Sequence, residues 1–152
     1  MKLNLGCDRN KLPGYVNVDI REEVRPDMVL DLREFPYPWS DSSIDEIFIE
    51  NTLEHISYTK HDRIFQEFYR ILRPKGRLII VTPDIEDLLD RYLIGRSGKD
   101  QWKFVHFLFG GHEHEHDYHR AVYTVKRMKW ILEKHGFRVV EIEPGLRVEA
   151  VK

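Results

Sequence analysis

The chain of 152 residues has little of several features that mark other classes of protein. Its single cysteine, Cys7, excludes an intrachain disulfide and favours a reducing, cytoplasmic location. The N-terminal sequence MKLNLGCDRNK lacks the apolar core of a signal peptide, and no apolar run approaches the roughly 18 residues of a membrane span. A formal net charge of −2 disfavours a nucleic-acid partner, because such partners usually require a strongly basic face. We therefore expect a soluble, cytoplasmic protein without a membrane or nucleic-acid partner.

Repeats, low-complexity segments and Gly/Ser linkers are also absent, and the length suits one domain over residues 1–152. Short apolar runs alternate with segments of helical periodicity. This alternation predicts an α/β, Rossmann-like, doubly wound fold with a mainly parallel sheet of about seven strands. The strands are expected at 2–7, 16–20, 28–30, 46–49, 77–82, 138–142 and 147–151. A Pro144-Gly145 turn between the last two strands predicts a hairpin and hence an antiparallel last strand.

Apolar residues at helical spacing predict four helices. They are expected at 64–72, 84–95, 100–109 and 124–136. Asp84 and Thr124 are the predicted N-caps, and the Arg-Pro-Lys-Gly sequence at 73–76 is expected to stop the first helix. The third helix is rich in aromatic residues, which we interpret as core or dimer packing, with a pocket lining as the alternative.

The first connection between parallel strands is unusually short. Only residues 8–15, with Pro13 and Gly14, separate the first two strands, whereas a crossover usually needs a dozen or more residues. The second connection, 21–27, is also short. We expect the first crossover helix to be reduced or missing and one face of the sheet to expose apolar surface that a homodimer would cover.

Polar residues follow the ends of the predicted parallel strands. In open α/β sheets, ligands bind beyond the carboxyl ends of the strands. Gly6, Asp19, Asp31 and Asn51 occupy such positions after the first four strands. Acidic and amide groups placed in this way suit a ligand that carries a ribose and a cation.

Several longer segments resemble a known family. LNLGC, VNVDI, DLREFPYPWSDSSIDEIFIENTLEHI and EFYRILRPKGRLIIVTPD, followed by DYHR and LEKHGFRVVEIE, are similar to class I S-adenosylmethionine-dependent methyltransferases. The similarity covers almost the whole chain and is greatest to small, type 11-like methyltransferases whose first motif runs through a Pro-Gly loop. It implies S-adenosylmethionine as the cofactor and methyl transfer to a hydroxyl or amine of a small molecule or glycan.

The resemblance also implies roles for individual residues. Gly6 would lie against the methionine part of the cofactor, Asp19 would bind the ribose, and Asp31 would bind the adenine amino group. Many relatives carry a second glycine where this chain has Asp8. The full set of cofactor-binding residues implied is Gly6, Cys7, Asp19, Ile20, Asp31, Leu32 and Asn51. By its residue type, Cys7 reads as a small buried hydrophobe in this loop, not a nucleophile.

Three residues are candidates for catalysis. His55 follows the fourth strand beside Asn51, and His119 lies in the DYHR segment with Asp117. An aspartate near a histidine can orient the imidazole as a general base for the acceptor. For His55, packing or capping within the following turn is the alternative.

Alternating histidines and acids at 112–117 suggest metal ligands, because imidazole and carboxylate groups bind zinc and related ions. No second cluster has metal-ligand spacing. We interpret this run as a polar loop joining two helices, solvated at His112 and His114, and expect no metal, with metal binding as the alternative.

Two other functions remain to be weighed. A non-catalytic cofactor-binding or scaffold domain could use the same fold, because fold does not fix function. A nicotinamide-dependent enzyme is disfavoured because the G-x-G-x-x-G motif is absent. The segment 84–120 is expected to form much of the substrate pocket and to act as a lid.

The short crossovers generate a first testable prediction, the homodimer. Light scattering at micromolar protein concentration should report twice the chain mass. A clearly monomeric species would contradict it.

Overall fold

A computed structural model describes residues 1–152 and contains one seven-stranded sheet and four α-helices. The strands are β1 (Lys2–Leu5), β2 (Val16–Asp19), β3 (Met28–Val29), β4 (Ile44–Glu50), β5 (Leu72–Val81), β6 (Arg138–Glu143) and β7 (Arg147–Val151). The helices are α1 (His61–Ile71), α2 (Ile85–Leu88), α3 (Gly98–Phe109) and α4 (Val125–Lys134). None of the helices combines the length and apolar character that a membrane crossing needs.

The sheet has the strand order β3-β2-β1-β4-β5-β7-β6. Strands β1 to β5 run parallel, and β7 is antiparallel to both β5 and β6. This confirms the mainly parallel sheet and the antiparallel last strand. The chain order reverses between β1 and β4, which is where the carboxyl ends of the strands open a crevice for ligands.

One face of the sheet is apolar and covered by α1 and α4. Leu3, Ile47, Leu78 and Ala150 lie side by side across four strands in register. All four are fully buried in one core cluster with the apolar stripes of α1 and α4. Burial of each such side chain contributes about 1.5–3 kcal/mol, so this face provides most of the hydrophobic stabilisation.

The opposite face has no crossover helix between β1 and β3. A loop joins β1 to β2, and a single 3-10 turn, Glu22–Val24, precedes β3, as the short connections predicted. On the strands beyond β1 this face carries charges: Glu46 of β4 pairs with Arg77 of β5 at 2.9 Å, and Arg77 pairs with Glu149 of β7 at 2.8 Å. The apolar exposure was expected near β1 to β3, where Val29 is 53% exposed, and the homodimer stays a prediction.

The third connection also lacks a helix, and a hydrogen-bonded loop takes its place. The Arg70 guanidinium of α1 donates to the carbonyl oxygens of Tyr37 (3.0 Å) and Trp39 (2.9 Å). The buried Glu67 carboxylate accepts from Arg70 (2.7 Å) and from the backbone N–H of Tyr37 (2.7 Å). Tyr37 and Trp39 are thereby held in the core.

Three expectations about the elements need correction. Residues 73–76 were expected to separate the first helix from the next strand, but they lie within β5, which begins at Leu72. The pairing of β5 with β4 shifts register near the start of β4. The predicted helix from Asp84 is α-helical only to Leu88 and continues as a π-helical turn, Leu89–Leu93. The aromatic helix α3 is not core, because Phe104 is its one buried residue and Trp102 is 73% exposed.

The network around Arg70 generates a prediction about stability. Arg70→Ala leaves the Glu67 carboxylate buried without its cation, and removing one partner of such a pair destabilises by about 3 kcal/mol. Urea unfolding at neutral pH should show this loss, whereas Gln66→Ala, on the exposed side of α1, should be nearly neutral.

The pH dependence supplies a second readout. Hydrogen bonds from Arg70 hold the pKa of Glu67 below its usual value. A lowered folded-state pKa contributes stability above the unfolded pKa of about 4.3 and loses it as the pH falls through the folded pKa. The difference in free energy of unfolding between wild type and Arg70→Ala should therefore become smaller at acid pH. A difference that is constant with pH would contradict the role given to Glu67.

Candidate functional site

A cleft opens at the carboxyl ends of β1 to β4. Its wall includes Gly6, Asp19, Asp31 and Asn51, each of which follows or ends a different strand. These residues were expected to meet from sequence, and the structure brings them together. The wall also contains His55 and, from the far side, residues 114–117 and Arg120.

A close contact requires glycine at position 6. The contacting group is a side chain of the protein itself, not the cofactor that the resemblance implied. Gly6 has φ +69°, and a Cβ atom at this position would lie 2.1 Å from Oγ1 of Thr52. The Thr52 hydroxyl donates to the carbonyl oxygen of Glu50 (2.8 Å). Gly6 therefore lets the loops after β1 and β4 pack together at the floor of the cleft, a reason that sequence reasoning missed.

Asp19 is buried at the end of β2, and both of its carboxylate oxygens accept hydrogen bonds. Oδ2 accepts from the backbone N–H of Asp8 (2.8 Å), and Oδ1 accepts from the backbone N–H of Arg21 (2.9 Å). The Arg21 guanidinium then bridges to the Asp8 carboxylate at 2.7 Å. Because Arg21 neutralises Asp8, the acid that replaces the usual glycine is not an isolated charge.

Asp31 is held in a similar way after β3. Its carboxylate accepts from the Arg33 guanidinium at 2.7 and 2.8 Å and from the Arg33 backbone N–H at 2.8 Å. Partial burial raises the pKa of Asp31, but these hydrogen bonds and the Arg33 charge outweigh burial and leave the pKa lowered. Asp31 is therefore an ionised acceptor, fixed in orientation, at the mouth of the cleft.

Apolar side chains also line the cleft. Ile20, Leu30, Leu32 and Ile56 are the hydrophobic members of the cleft wall. Cys7 is different, because it is buried beside the cleft and does not line it. Burial raises the pKa of the Cys7 thiol to about 11, which agrees with a packing role.

The histidine loop is solvent-exposed at 112–115, as expected, and it also borders the cleft. His114 and His116 line the cleft wall, and the His114 ring lies 3.1 Å from the Arg21 guanidinium. His112 points away and stacks on Tyr118 with ring centroids 4.1 Å apart. Alternation along the loop therefore does not place the three rings around one point.

His55 and His119 meet at the inner end of the cleft, although 64 positions separate them in the chain. Their ring centroids lie 4.6 Å apart, edge to face. Burial is the main cause that lowers both pKa values, to about 4 for His55. Both imidazoles are therefore neutral at pH 7. His55 lines the cleft, and His119 lies behind it.

Asp117 lines the cleft but does not orient His119 through a hydrogen bond. Its carboxylate accepts from the backbone N–H of Glu113 at 3.1 Å. The Nδ1–H of His119 donates to the carbonyl oxygen of Phe107 at 2.8 Å. The expected aspartate–histidine pair is thus replaced by a backbone contact, because Asp117 is used to fold its own loop.

Glu54 is a residue to which sequence reasoning gave no role. It is 2% exposed, and burial raises its pKa to about 7. Oε2 accepts from the Thr82 hydroxyl (3.1 Å), and Oε1 has no partner. The sequence did contain a sign of this contact, because Glu54 and Thr82 follow the neighbouring strands β4 and β5. An acid beside a histidine is, however, equally typical of an ordinary polar turn.

Comparison with known proteins decides the family. A family model described as a methyltransferase domain matches residues 7–142, which is most of the chain. The chain belongs to this methyltransferase family. No curated protein matches it.

Solved structures share the fold at low identity. An S-adenosylmethionine-dependent methyltransferase from Methanosarcina mazei is 22% identical, with a TM-score of 0.68 over 99% of this chain and 91% of that one. One from Mesorhizobium loti is 16% identical, with a TM-score of 0.69 over 99% and 90%. A Burkholderia thailandensis 1,6-didemethyltoxoflavin-N1-methyltransferase, bound to its substrate and S-adenosylhomocysteine, is 15% identical, with a TM-score of 0.62 over 99% and 70%.

The donor set of the cleft fits S-adenosylmethionine, the cofactor of this family. Two fixed carboxylates, Asp19 and Asp31, suit ribose hydroxyls and an adenine amino group, and the apolar side chains of the cleft wall suit a flat base. Arg21 removes the repulsion that a free Asp8 would exert on the carboxylate of the cofactor. The residues present are therefore compatible with the cofactor.

Proposed function

We propose that this protein transfers the methyl group of S-adenosylmethionine to a hydroxyl or amine of a small molecule or glycan. One observation carries the proposal: Gly6, Asp19 and Asp31 line a single cleft at the ends of three neighbouring strands. That arrangement provides a bed for a nucleoside where α/β sheets bind their ligands. The family assignment supports the reaction class.

Cofactor binding is proposed for the residues implied by sequence. Asp19 with Ile20 would hold the ribose, Asp31 with Leu32 the adenine, and the Gly6 backbone the methionine part. Cys7 would act indirectly, by packing behind the loop. When bound, the cofactor supplies an electrophilic methyl group on a sulfonium with a neutral thioether as leaving group.

The protein itself then has three tasks: to position the acceptor, to exclude water, and to take up a proton. Asn51 and His55 follow β4 at the inner part of the cleft, where the acceptor would lie. A hydroxyl or amine loses a proton as it is methylated, and the His55 imidazole, which lines the cleft, is the proposed acceptor of that proton. Asp117 would complete this wall from the segment above, and His119 would support the His55 ring from behind.

The chemistry of the wall bears on the acceptor class. Most of the 18 lining residues are polar and 4 are hydrophobic, so an acceptor rich in hydroxyl or amine groups suits the cleft. The toxoflavin-forming relative methylates a small molecule, as its name says. We propose a small molecule or glycan on these grounds.

A non-catalytic binding domain is the second candidate, and the arginine pairs favour it. Arg21 and Arg33 already occupy hydrogen-bonding positions on Asp19 and Asp31. A cleft whose acids are satisfied internally could persist without a ligand. Cofactor titration separates the enzyme from a scaffold that binds no cofactor, and a methyl-transfer assay separates it from a domain that only binds the cofactor.

The two acids generate a binding prediction. Isothermal titration with S-adenosylmethionine should show one site per chain, and Asp31→Asn should weaken it about 10- to 100-fold, since a hydrogen bond to a charged group contributes about 1.5–3 kcal/mol. Asp90→Asn is the matched control, because Asp90 is an exposed acid outside the cleft wall. Absence of binding at millimolar cofactor would favour the non-catalytic domain.

The segment 84–120 is proposed to act as a lid. Its ends are pinned together, since the backbone N–H of Ile85 donates to the carbonyl oxygen of Tyr123 at 2.9 Å. Between them, α3 buries only Phe104, and an element with few buried contacts opens at low free energy. Residues 114–117 of the same segment form one wall of the cleft.

Limited proteolysis checks this prediction. Trypsin has sites at Arg91, Arg96 and Lys103 in the segment, and S-adenosylhomocysteine should slow cleavage there by closing the wall at 114–117. Cleavage at Lys129 of α4, outside the segment, provides the internal control. Equal rates with and without the ligand would contradict a lid. The homodimer stays a separate prediction.

A further inference from the structure

Three potential metal ligands converge behind the cleft. Glu54, His55 and His119 each offer one ligand atom, and these atoms lie within 4.8 Å of one another. Around a tetrahedral ion with bonds of roughly 2.0–2.2 Å, ligand atoms lie about 3.4 Å apart, so the most separated atoms of this group would have to move together by up to about 1.4 Å on binding. We call these three side chains the Glu54 cluster.

The buried carboxylate of Glu54 is the strongest evidence for a bound cation. Its side chain is almost fully buried, and Oε1 has no hydrogen-bond partner. A buried carboxylate without a partner is unfavourable, and such groups are paired or coordinate metals in native proteins. No arginine or lysine forms an ion pair with Glu54; Arg120 contributes only its backbone N–H, which donates to the Glu54 carbonyl.

The two histidines are in the form that binds metals. His119 donates its Nδ1–H to the Phe107 carbonyl, which leaves the Nε2 lone pair free. His55 Nδ1 is buried and unpartnered, and the other edge of its ring interacts with the backbone of Tyr118. A ligand histidine characteristically donates its second N–H to a carbonyl or carboxylate, which fixes the tautomer and the ring.

The backbone holds the cluster in place. The carbonyl oxygen of Glu54 accepts from the N–H groups of Arg120 (2.6 Å) and Ala121 (3.1 Å), which brings His119 beside His55. The buried His61 donates to the carbonyls of Leu53 (3.2 Å) and Ile56 (3.0 Å), on either side of the pair. The ligands are therefore preorganised without an ion.

We propose that Glu54, His55 and His119 form a binding site for a divalent transition-metal ion of the zinc type. Two imidazoles and one carboxylate are a donor set used for Zn²⁺ and Fe²⁺ in sites that keep coordination positions open. This assignment replaces the expectation of no metal and differs from the sequence-prominent run His112–His116. His55 would then be a ligand and not the proton acceptor; the ion would lower the pKa of an acceptor hydroxyl bound at an open position, and the proton would leave to solvent.

The test uses the full-length protein, freed of metal with EDTA and dialysed. Zn²⁺ binding is followed by isothermal titration and Co²⁺ binding by visible absorption. The variants are Glu54→Gln and His119→Ala, and the matched control replaces His112, His114 and His116 together by asparagine. Melting temperatures without metal report whether each variant folds.

Wild type and control should bind one ion per chain with micromolar affinity or better. Both ligand variants should weaken binding by more than about 100-fold, since even partners outside the ligand shell alter affinity 10- to 100-fold. Zn²⁺ should raise the melting temperature of wild type, because the ion binds the folded state and not the unfolded chain. Without metal, at a pH well above the raised pKa of Glu54, Glu54→Gln should melt higher than wild type, because it removes a buried charge that no cation balances; a purely structural glutamate would give the opposite shift.

Three results would overturn the proposal: no stoichiometric binding by wild type, unchanged affinity in Glu54→Gln, or loss of binding in the triple-histidine control with retention in His119→Ala. If His119→Ala fails to fold, Glu54→Gln decides alone, because glutamine preserves the volume of the side chain. None of these readouts depends on cofactor binding or methyl transfer, so failure here leaves the proposed function standing.

Discussion

The carbonyl oxygen of Glu54 holds the candidate site together. By accepting from the backbone N–H groups of Arg120 and Ala121, it fixes the end of a long excursion of the chain against the turn after β4. The contact from Ile85 to Tyr123 fixes the start of that excursion at nearly the same place. Between these points, α3 packs loosely, yet the histidine loop still returns over the cleft. A few backbone hydrogen bonds thus decide where His119 and residues 114–117 can lie.

The protein is small because its first three connections contain no α-helix. Paired charged and polar side chains cover part of the sheet face that such helices would otherwise cover. An uncovered sheet face is stable only if it is polar or paired. Here Glu46, Arg77 and Glu149 form a ladder across β4, β5 and β7, and Asn4 donates to Asn17 between β1 and β2 at 2.9 Å. The high charged fraction of 33% therefore serves the fold itself as well as solubility.

Sequence periodicity and strand-end chemistry were sufficient for the sheet, its order of parallel and antiparallel strands, and the meeting of Gly6, Asp19 and Asp31. They were insufficient where the outcome depends on contacts between distant segments. The aromatic pattern of α3 reads as buried, but Trp102 is exposed because no element packs on that side. Asp117 and His119 are close in sequence, yet each binds backbone atoms. His119 instead meets His55, a pairing that only the return of the chain over β4 creates.

The charges of the cleft have a consequence for turnover. Its wall contains five acidic and three arginine side chains, and Arg21 and Arg33 are committed to Asp19 and Asp31. The remaining negative field comes mainly from Asp117, which acts on His55, and from Glu115, which acts on Arg33. S-adenosylmethionine carries one more positive charge than S-adenosylhomocysteine, because transfer of the methyl group removes the sulfonium. A cleft of this sign attracts the reactant form more strongly than the product form, and partial burial limits the screening of that difference by salt. The same field would favour a cation at the Glu54 cluster, so the electrostatics of the wall bias the site toward charge-positive ligands.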